Sequence, residues 1–376
     1  MSASTRLSIH WPQSEGLSPP SEKTSTLVLT SPEGRFVDVR PLLHHPGLKS
    51  SSSETLITDY PFEWAFAGHE IDHGQVEVEI DGELTKVAKI EFDHKFFDDV
   101  FIHRLTEYYH IQGKGEGEGK GEGQSSGMKT TETAKRPIRS EIATDVGFFQ
   151  VITDPDASQT IGGNSSLANS PFRRETGEMQ NPKTDHVEPY VEIWKSLIEI
   201  STTSSSSSSS CCCSSSSSSS ISTSNNTTKL NCCVWDIVSE KPQNNTDIEQ
   251  GAEAMSGYEG RVISFGPWTQ GLLWNKARSA DTGSGEPISV IRRFDAGKGK
   301  LKCGQVADES GIEIDTIEFG LDVGLFPRDS QLGLTRGGGS CNVGDDDVVV
   351  VSGEGDGGDC VRWRCVECWK SCDLKL

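Results

Sequence analysis

The sequence is poor in apolar residues and has no long apolar run. Only 33% of its 376 residues are hydrophobic, and 39 are glycine. No eighteen apolar residues follow one another, and the first residues include no apolar segment of signal-peptide length, so we expect neither a membrane span nor a secretory route. Part of the chain must also stay outside any packed core. These features favour a soluble protein of the cell interior.

Basic residues are scarce as well. The chain has 35 Lys and Arg against 56 Asp and Glu, a formal net charge of −21. Binding to nucleic acid or to an anionic membrane surface depends on clustered Lys and Arg, and no such cluster is evident. The eleven cysteines do not predict a disulfide framework, because thiols in a reducing compartment need not pair.

The clearest pattern present is a β-hairpin over residues 25–40. Leu27 and Leu29 recur at every second position, and so do Val37 and Val39. This period of two is typical of half-buried antiparallel strands. Residues 31–34, with the sequence Ser-Pro-Glu-Gly, have the preferences of a type I turn. We therefore expect the leucines and valines to be core residues.

Further strands follow along the chain. A second hairpin is predicted at 76–80 and 88–92, around the Asp-Gly turn at 81–82. Aromatic and leucine spacing within 95–110 favours a short helix. A strand is predicted at 146–151 and another hairpin at 178–194, around Asn181-Pro182. Further strands are predicted at 261–265, 288–294 and 361–369, where β-branched and aromatic residues are frequent.

Low-complexity segments divide the chain. Residues 113–140 begin with a Gly/Lys/Glu repeat that cannot bury apolar area, and this composition predicts a disordered linker. The fold class is therefore predicted to be mainly β, with two antiparallel β-barrel lobes at 5–112 and 141–372. The second lobe is interrupted by a Ser-rich insertion (202–228) and by an acidic Gly-rich insertion (336–359).

One sequence motif suggests a zinc hydrolase. His69, Glu70 and His73 spell H-E-x-x-H, which on a helix places two imidazoles on one face for zinc and leaves the glutamate as general base. Gly68 and Gly74 bracket the motif and a predicted strand follows, which leaves no room for the helix. We expect a surface loop here and keep the zinc enzyme as a remote alternative.

Other motifs point less clearly to chemistry. The G-x-G-x-x-G match at 353–358 carries two acidic residues and leads into another strand, unlike a pyrophosphate loop. Cys360, Cys365, Cys368 and Cys372 include one C-x-x-C pair, but in a strand its two thiols would face opposite ways. The letters G-x-S-x-G occur at 123–127, but they lie within the low-complexity linker and not at a predicted strand-to-helix turn, so no nucleophile elbow is expected. No catalytic, cofactor-binding or metal-binding residue is predicted, and we expect a protein that is not an enzyme.

Several segments resemble the fungal Hri family. They are Trp11-Pro12, the hairpin at 25–40, and the runs at 64–68, 175–182, 190–194, 260–271 and 363–367. The resemblance implies a two-lobed antiparallel β-barrel protein of the fungal cytoplasm and nucleus that associates with a casein kinase I. It implies no enzymatic activity and no catalytic residues.

Two functional hypotheses follow from the sequence. The first is a non-enzymatic protein-interaction module with a protein kinase as its partner. The second is a β-barrel that encloses a small apolar ligand, as closed eight-stranded sheets can. The sequence predicts neither a partner surface nor an oligomeric state.

Overall fold

The computed structural model describes sixteen ranges of the chain. They are residues 1–16, 18–43, 45, 60–80, 82–115, 135–142, 144–153, 170–181, 183–184, 186–197, 231–237, 257–281, 285–295, 316–328, 348–352 and 360–370. Strands dominate these ranges, which confirms a mainly β protein. The Ser-rich insertion, residues 336–347 and 353–359 of the acidic insertion, and Cys372 lie outside them.

The first eight strands form a closed antiparallel barrel in chain order, with β1 paired to β8. The strands are β1 (Ser2–His10), β2 (Leu27–Thr30), β3 (Arg35–Pro41), β4 (Phe62–Ile80), β5 (Glu83–Asp98), β6 (Asp145–Ile152), β7 (Phe172–Gln180) and β8 (Val187–Ser196). The predicted first lobe ended at residue 112, but β6 to β8 belong to the same barrel. The composition break at 113–140 separates two adjacent strands of one sheet, since β5 pairs directly with β6.

Both predicted hairpins are present. In the first, the amide of Gly34 donates to the carbonyl of Ser31 at 3.0 Å, closing the turn between β2 and β3. Gly34 has φ +78°, and a Cβ there would lie 2.5 Å from the carbonyl oxygen of Glu70. Both the backbone angle and the close approach of β4 therefore require glycine. In the second hairpin, β4 and β5 pair as predicted, and Asp81 lies outside the described ranges.

The predicted helix after the second hairpin is present as α2 (Asp99–Gly115). A carboxylate oxygen of Asp98 accepts a hydrogen bond from the amide of Phe101 at 2.6 Å, which caps its first turn. Two shorter helices are α1 (Pro12–Glu15) and α3 (Lys276–Ala280). Within the described ranges, no helix has the length and apolar character needed to cross a bilayer.

The remaining seven strands form a second antiparallel sheet, in the order β13-β12-β11-β10-β9-β15-β14. They are β9 (Asn231–Ile237), β10 (Tyr258–Phe265), β11 (Trp268–Asn275), β12 (Ile288–Phe294), β13 (Ile317–Phe319), β14 (Val348–Ser352) and β15 (Cys360–Lys370). In the part of the chain described, this sheet is open, because β13 and β14 form its edges without pairing to each other. The prediction of a second closed barrel is therefore not confirmed.

One face of the seven-stranded sheet covers the outside of the barrel. Leu27, Leu29, Val37 and Val39 are buried as predicted, but they pack against this sheet in a shared apolar core. Their partners in that core include Cys232, Val234, Ile263, Phe265, Leu272, Trp274 and Val290. These four positions of β2 and β3 therefore point out of the barrel, and the residues between them point into it.

Buried polar side chains connect the same two sheets. Arg292 donates from Nη1 to the carbonyl of Ser25 at 2.6 Å and from Nη2 to that of Val39 at 2.7 Å. Gln270 accepts from Nε of Arg292 at 2.9 Å and donates to the carbonyl of Leu27 at 2.8 Å. These bonds satisfy a charge that would otherwise be buried alone.

The opposite face of the seven-stranded sheet is closed by its own side chains. Phe326, which follows a 3₁₀ turn at Val323–Leu325, stacks on Trp363 with ring centroids 5.8 Å apart. The indole of Trp363 is fully buried and donates to the carbonyl of Leu325 at 2.9 Å. This face is thus packed with aromatic and aliphatic groups.

Candidate functional site

The barrel encloses a cavity of about 760 Å³. Along β2 and β3 its lining includes Val28, Phe36, Asp38 and Arg40, the residues that alternate with the outward-facing leucines and valines. A cavity of this size falls in the range of small-molecule sites, which run from about 300 to 1,000 Å³. The barrel interior is therefore the candidate functional site.

Aromatic rings form much of the wall. Phe36 packs edge-on against Phe66 and Phe92, with centroids 6.2 and 5.7 Å apart, and Phe92 contacts Phe149 at 6.1 Å. These rings come from four strands, and period-two alternation brings them to the inner side of the sheet. Trp64, Tyr190, Trp194 and Ile90 also line the cavity. Such a wall suits an apolar or planar ligand body.

A group of ion pairs lies in the same cavity. Arg40 donates from Nε and Nη2 to one carboxylate oxygen of Asp38, at 3.0 and 2.8 Å, and its Nη1 lies 3.3 Å from Glu192. Glu192 also accepts from Nη1 of Arg6 at 2.7 Å. Arg40, Asp38 and Glu192 line the cavity directly, whereas the side chain of Arg6 is fully buried beneath them.

Arg6 also bonds to two further parts of the chain, residues 22–24 and Glu63. It donates to Glu22 at 2.7 Å and to Glu63 at 2.7 Å, and more weakly to Thr24 at 3.3 Å. Burial alone would lower the pKa of Arg6, but the charges of Glu192, Glu63 and Glu22 and the hydrogen bond that Arg6 donates to Glu22 raise it well above its usual value. Arg6 is therefore a permanent cation that fixes the position of Glu192.

Aromatic faces surround the guanidinium of Arg40. Its central carbon lies 4.7 Å from the ring centre of Trp64 and 5.6 Å from those of Phe66 and Trp194. A cation held over aromatic faces in a desolvated site is stabilised by the negative face of each ring. The wall of the cavity therefore already accommodates one buried positive charge.

A second carboxyl group, that of Glu175, stands opposite Glu192 in the register of β7 and β8. It accepts a hydrogen bond from the hydroxyl of Tyr190 at 2.7 Å. Burial, and then the negative charge of Glu192, raise the pKa of Glu175 to about 8. Burial also raises the pKa of Asp38, despite its pairing with Arg40. Glu175 therefore keeps its proton at neutral pH.

His94 lies at the side of the cavity where β5 leads into α2. Its Nδ1 is 2.6 Å from Asp98, and its Nε2 is 3.6 Å from a carboxylate oxygen of Asp145. Burial acts to lower the pKa of His94, but the bond to Asp98 and the charge of Asp145 outweigh it and raise that pKa. Burial raises the pKa of Asp145. Nearby, Val100, Ile138 and Val187 line the cavity and are exposed, so the cavity opens to solvent at this end.

The H-E-x-x-H residues do not form a metal site. They lie in strand β4, where we predicted a loop, so His69 and His73 are about 13 Å apart along an extended chain. Glu70 lines the barrel cavity, whereas His73 is exposed and lies 2.9 Å from Glu91. The i, i+4 geometry of a zinc helix is therefore absent. Among the residues that the structure describes, no group of three His, Cys, Asp or Glu could hold a metal ion.

The other sequence motifs lie away from the cavity. Cys360, Cys365 and Cys368 are in β15 of the second sheet, where Cys365 is buried and Cys360 is exposed. The thiol of Cys368 contacts that of Cys233 in β9, with the sulfurs 3.2 Å apart. The glycine motif at 353–358 falls outside the described residues.

The sequence contains a signal for the cavity residues that we did not use. Asp38 and Arg40 alternate with Val37 and Val39 in β3, and Glu192 lies between Val191 and Ile193 in β8. In an exposed strand, such residues would face water. Only the packing of the second sheet on the barrel shows that the charged side of β3 is the inner one.

These features define a closed eight-stranded antiparallel barrel with a central cavity, backed by a second sheet. A family model described as "HRI1: Protein HRI1" matches residues 2–327, and the chain belongs to this family. No curated protein matches the sequence. A crystal structure of an uncharacterised protein from Saccharomyces cerevisiae, YLR301w, is similar to this chain at 15% identity and a TM-score of 0.44, over 98% of each chain.

Proposed function

We propose that the barrel binds a small molecule with an apolar body and one polar group. The observation that carries this proposal is the cavity of about 760 Å³ inside a closed sheet. Its aromatic wall provides contact area for the ligand body, and the charged group around Arg40 provides orientation. Ligand sites commonly combine a largely apolar lining with a few fixed polar groups.

The proposal modifies the sequence-based hypothesis of a purely apolar ligand. Asp38, Arg40 and Glu192 are buried within the cavity wall. An entirely apolar ligand would displace water from these groups and offer them no hydrogen bond, which costs free energy. Because the three charges are held to one another in ion pairs, their role is to recognise a ligand and not to transfer protons to it.

A fluorescent probe tests for binding in the barrel. N-phenyl-1-naphthylamine is uncharged at neutral pH and fluoresces strongly in apolar sites. We expect saturable enhancement with the wild-type protein and at least tenfold weaker binding in Ile90→Trp and Val28→Phe, which fill the cavity. Leu84→Trp, at a position 77% exposed on the β4–β5 hairpin, is the matched control and should bind normally.

Two results would overturn the proposal. One is the absence of saturable enhancement with the wild-type protein. The other is unchanged affinity in both filled variants, provided that their circular dichroism and unfolding midpoints show folded protein. Because the two substitutions lie on different strands, β5 and β2, the test still works if one of the variants fails to fold.

Association with a casein kinase I, and residence in cytoplasm and nucleus, stay predictions from the family resemblance. Affinity purification from fungal cells, with and without the Ile90→Trp change, would test the first. Recovery of the kinase with both proteins would show that the association does not depend on the cavity. Repeated failure to recover it with either protein would count against the association.

A further inference from the structure

The cavity carries an excess of acidic groups. Nine Asp and Glu side chains line it, of which Glu175 is protonated at neutral pH, against five Arg and Lys and one histidine, His94. The two arginines nearest its charged centre are already engaged, since Arg40 is paired with Asp38 and Glu192, and Arg6 with Glu192, Glu22 and Glu63. The balance of charge therefore favours a positive group in the space that remains.

Among the described residues, two carboxyl groups of the cavity lining, those of Asp38 and Asp99, each have a buried oxygen without a hydrogen-bond partner, and Asp38 belongs to the charged group around Arg40. Asp38 is 3% exposed, and both of its bonds from Arg40 go to the same oxygen, Oδ2. The other oxygen, Oδ1, is buried and receives no hydrogen bond from the residues that the structure describes. A buried carboxylate oxygen without a partner is costly, and the charge of a ligand cation beside it would offset that cost.

Glu175 shows the same shortage of positive charge. Across from it stand Glu192, Tyr190 and Trp194 on β8, and the charge of Arg40 on β3 also acts on it. Arg6 and Arg40 both bond to Glu192, whereas Glu175 accepts from the hydroxyl of Tyr190. A cation placed between Asp38 and Glu175 would pair with the carboxylate of Asp38 and favour ionisation of Glu175.

Another positive group at the cavity, that of Arg173, has partners of its own. Arg173 lies over the ring of Phe149, at 5.7 Å, and donates to the hydroxyl of Ser4 at 3.1 Å. The aromatic wall accepts cations, as the position of Arg40 over Trp64 shows. At the charged centre of the cavity, in contrast, an anionic ligand would have to displace Asp38 or Glu192 from Arg40.

We infer that the ligand is a cationic amphiphile, an amine or quaternary ammonium group on an apolar body. The inference rests on the proposed binding function and specifies its ligand class. The ammonium group lies at Oδ1 of Asp38 and beside Glu175, and the apolar body lies against the aromatic wall. A neutral alcohol of the same length binds more weakly, and a carboxylate binds most weakly.

Three probes that share an eight-carbon alkyl chain test the expected order of ligand affinities. Octyltrimethylammonium, octanol and octanoate are each titrated into the full-length protein at pH 7 by calorimetry. We expect the ammonium compound to bind at least tenfold more tightly than octanol, and octanoate to bind more weakly than either. Because the cation stabilises the charged form of Glu175, its binding releases protons, which appear as heats that depend on the buffer; octanol binding does not.

Two variants and one control test whether Asp38 and Glu175 cause the preference for the ammonium compound over octanol. Asp38→Asn should reduce the affinity for octyltrimethylammonium about tenfold and leave octanol unchanged. Glu175→Gln, which resembles the protonated side chain and should fold normally, should abolish the proton release. Glu77→Gln, on the exposed hairpin, should change neither.

The outcomes separate the two proposals. Octanol binding as tightly as the ammonium compound, or octanoate binding best, would overturn the cationic ligand and leave the binding barrel standing. An unchanged preference in both Asp38→Asn and Glu175→Gln would also overturn it. If none of the three probes binds, the cationic ligand falls, and the naphthylamine assay decides whether the barrel binds small molecules.

Discussion

In the barrel, inward side chains such as Asp38, Arg40 and Glu192 surround a cavity of about 760 Å³. In the seven-stranded sheet, the face turned away from the barrel is closed by Phe326 stacked on Trp363. In both sheets, successive side chains point to opposite faces. The inner face of the barrel carries charged groups around an open volume, whereas the outer face of the seven-stranded sheet carries packed aromatic rings. The seven-stranded sheet packs on the outside of the barrel and forms the shared apolar core there. The interior of the barrel therefore does not have to be filled with apolar side chains to stabilise the fold.

The junction between the two sheets should be the most sensitive point. Arg292→Ala removes buried, charge-assisted hydrogen bonds to Ser25, Val39 and Gln270. We expect a loss of about 5 kcal/mol in the free energy of unfolding, because such bonds contribute roughly 1.5–3 kcal/mol each and their acceptors stay buried. Urea unfolding measures this loss.

The neighbouring arginine is the matched control. Arg293 lies on the opposite side of the same strand and pairs with the exposed Glu318. Its change to Ala should cost less than about 1 kcal/mol. Equal losses for the two arginines would contradict the view that the sheet supports the barrel through Arg292.

A matched pair of phenylalanines distinguishes the packed face from the cavity. Phe326→Ala should cost about 4 kcal/mol, because the ring is 1% exposed and is packed within the aromatic cluster. Phe149→Ala should cost about 2 kcal/mol, since one side of its ring already borders open volume. If the two losses measured by urea unfolding are equal, the interiors of the two sheets do not differ in packing.

The acidic cavity should give the protein a specific pH dependence. The pKa of Glu175 is raised from 4.5 to about 8 in the folded protein. Its contribution to stability is therefore complete below about pH 4.5 and is lost as the pH rises to about 8. Relative to the wild type, Glu175→Gln should gain on the order of 3 kcal/mol between pH 5 and pH 8.5.

Unfolding curves at the two pH values check this expectation. Glu178→Gln, on the same strand and nearer the barrel's open end, serves as the control and should follow the wild type. A Glu175→Gln protein whose stability relative to the wild type does not change with pH would show that Glu175 is ionised in the folded state at neutral pH.

The smallest effect on stability is expected in the H-E-x-x-H sequence. His73 is exposed in β4 and pairs with the half-buried Glu91. His73→Ala should change the free energy of unfolding by less than about 0.5 kcal/mol. It should not alter zinc content measured by elemental analysis. A measurable loss of bound zinc would contradict the placement of His69 and His73 in an extended strand.

Local structure could be predicted from the sequence where it depends on contacts between residues that are close together along the chain. The hairpin of Leu27 and Val39, the turn ending at Gly34 and helix α2 all follow from spacing and turn chemistry. The assignment of β6 to β8 to the first barrel could not be predicted. It depends on pairing across residues 113–140, and composition says nothing about which strands meet.

The site could be predicted only in part. Alternation showed that Val37 and Val39 share one side of β3 and that Asp38 and Arg40 share the other. It could not show which side is inner, because that depends on whether another sheet covers the outside. The partners of the charged side, Glu192 and Glu175, lie about 150 residues further along the chain and meet Arg40 only when the barrel closes.

Fluorine NMR of protein labelled with 5-fluorotryptophan tests the difference between the two sheets most directly. Trp194 lines the barrel cavity and Trp363 is buried in the second sheet, and single Trp→Phe variants assign their signals. Titration with octanol, and separately with octyltrimethylammonium, should shift the Trp194 signal saturably and leave the Trp363 signal unchanged. A ligand-dependent shift of Trp363 alone, or no shift of Trp194 with either compound, would contradict the assignment of the barrel as the binding region.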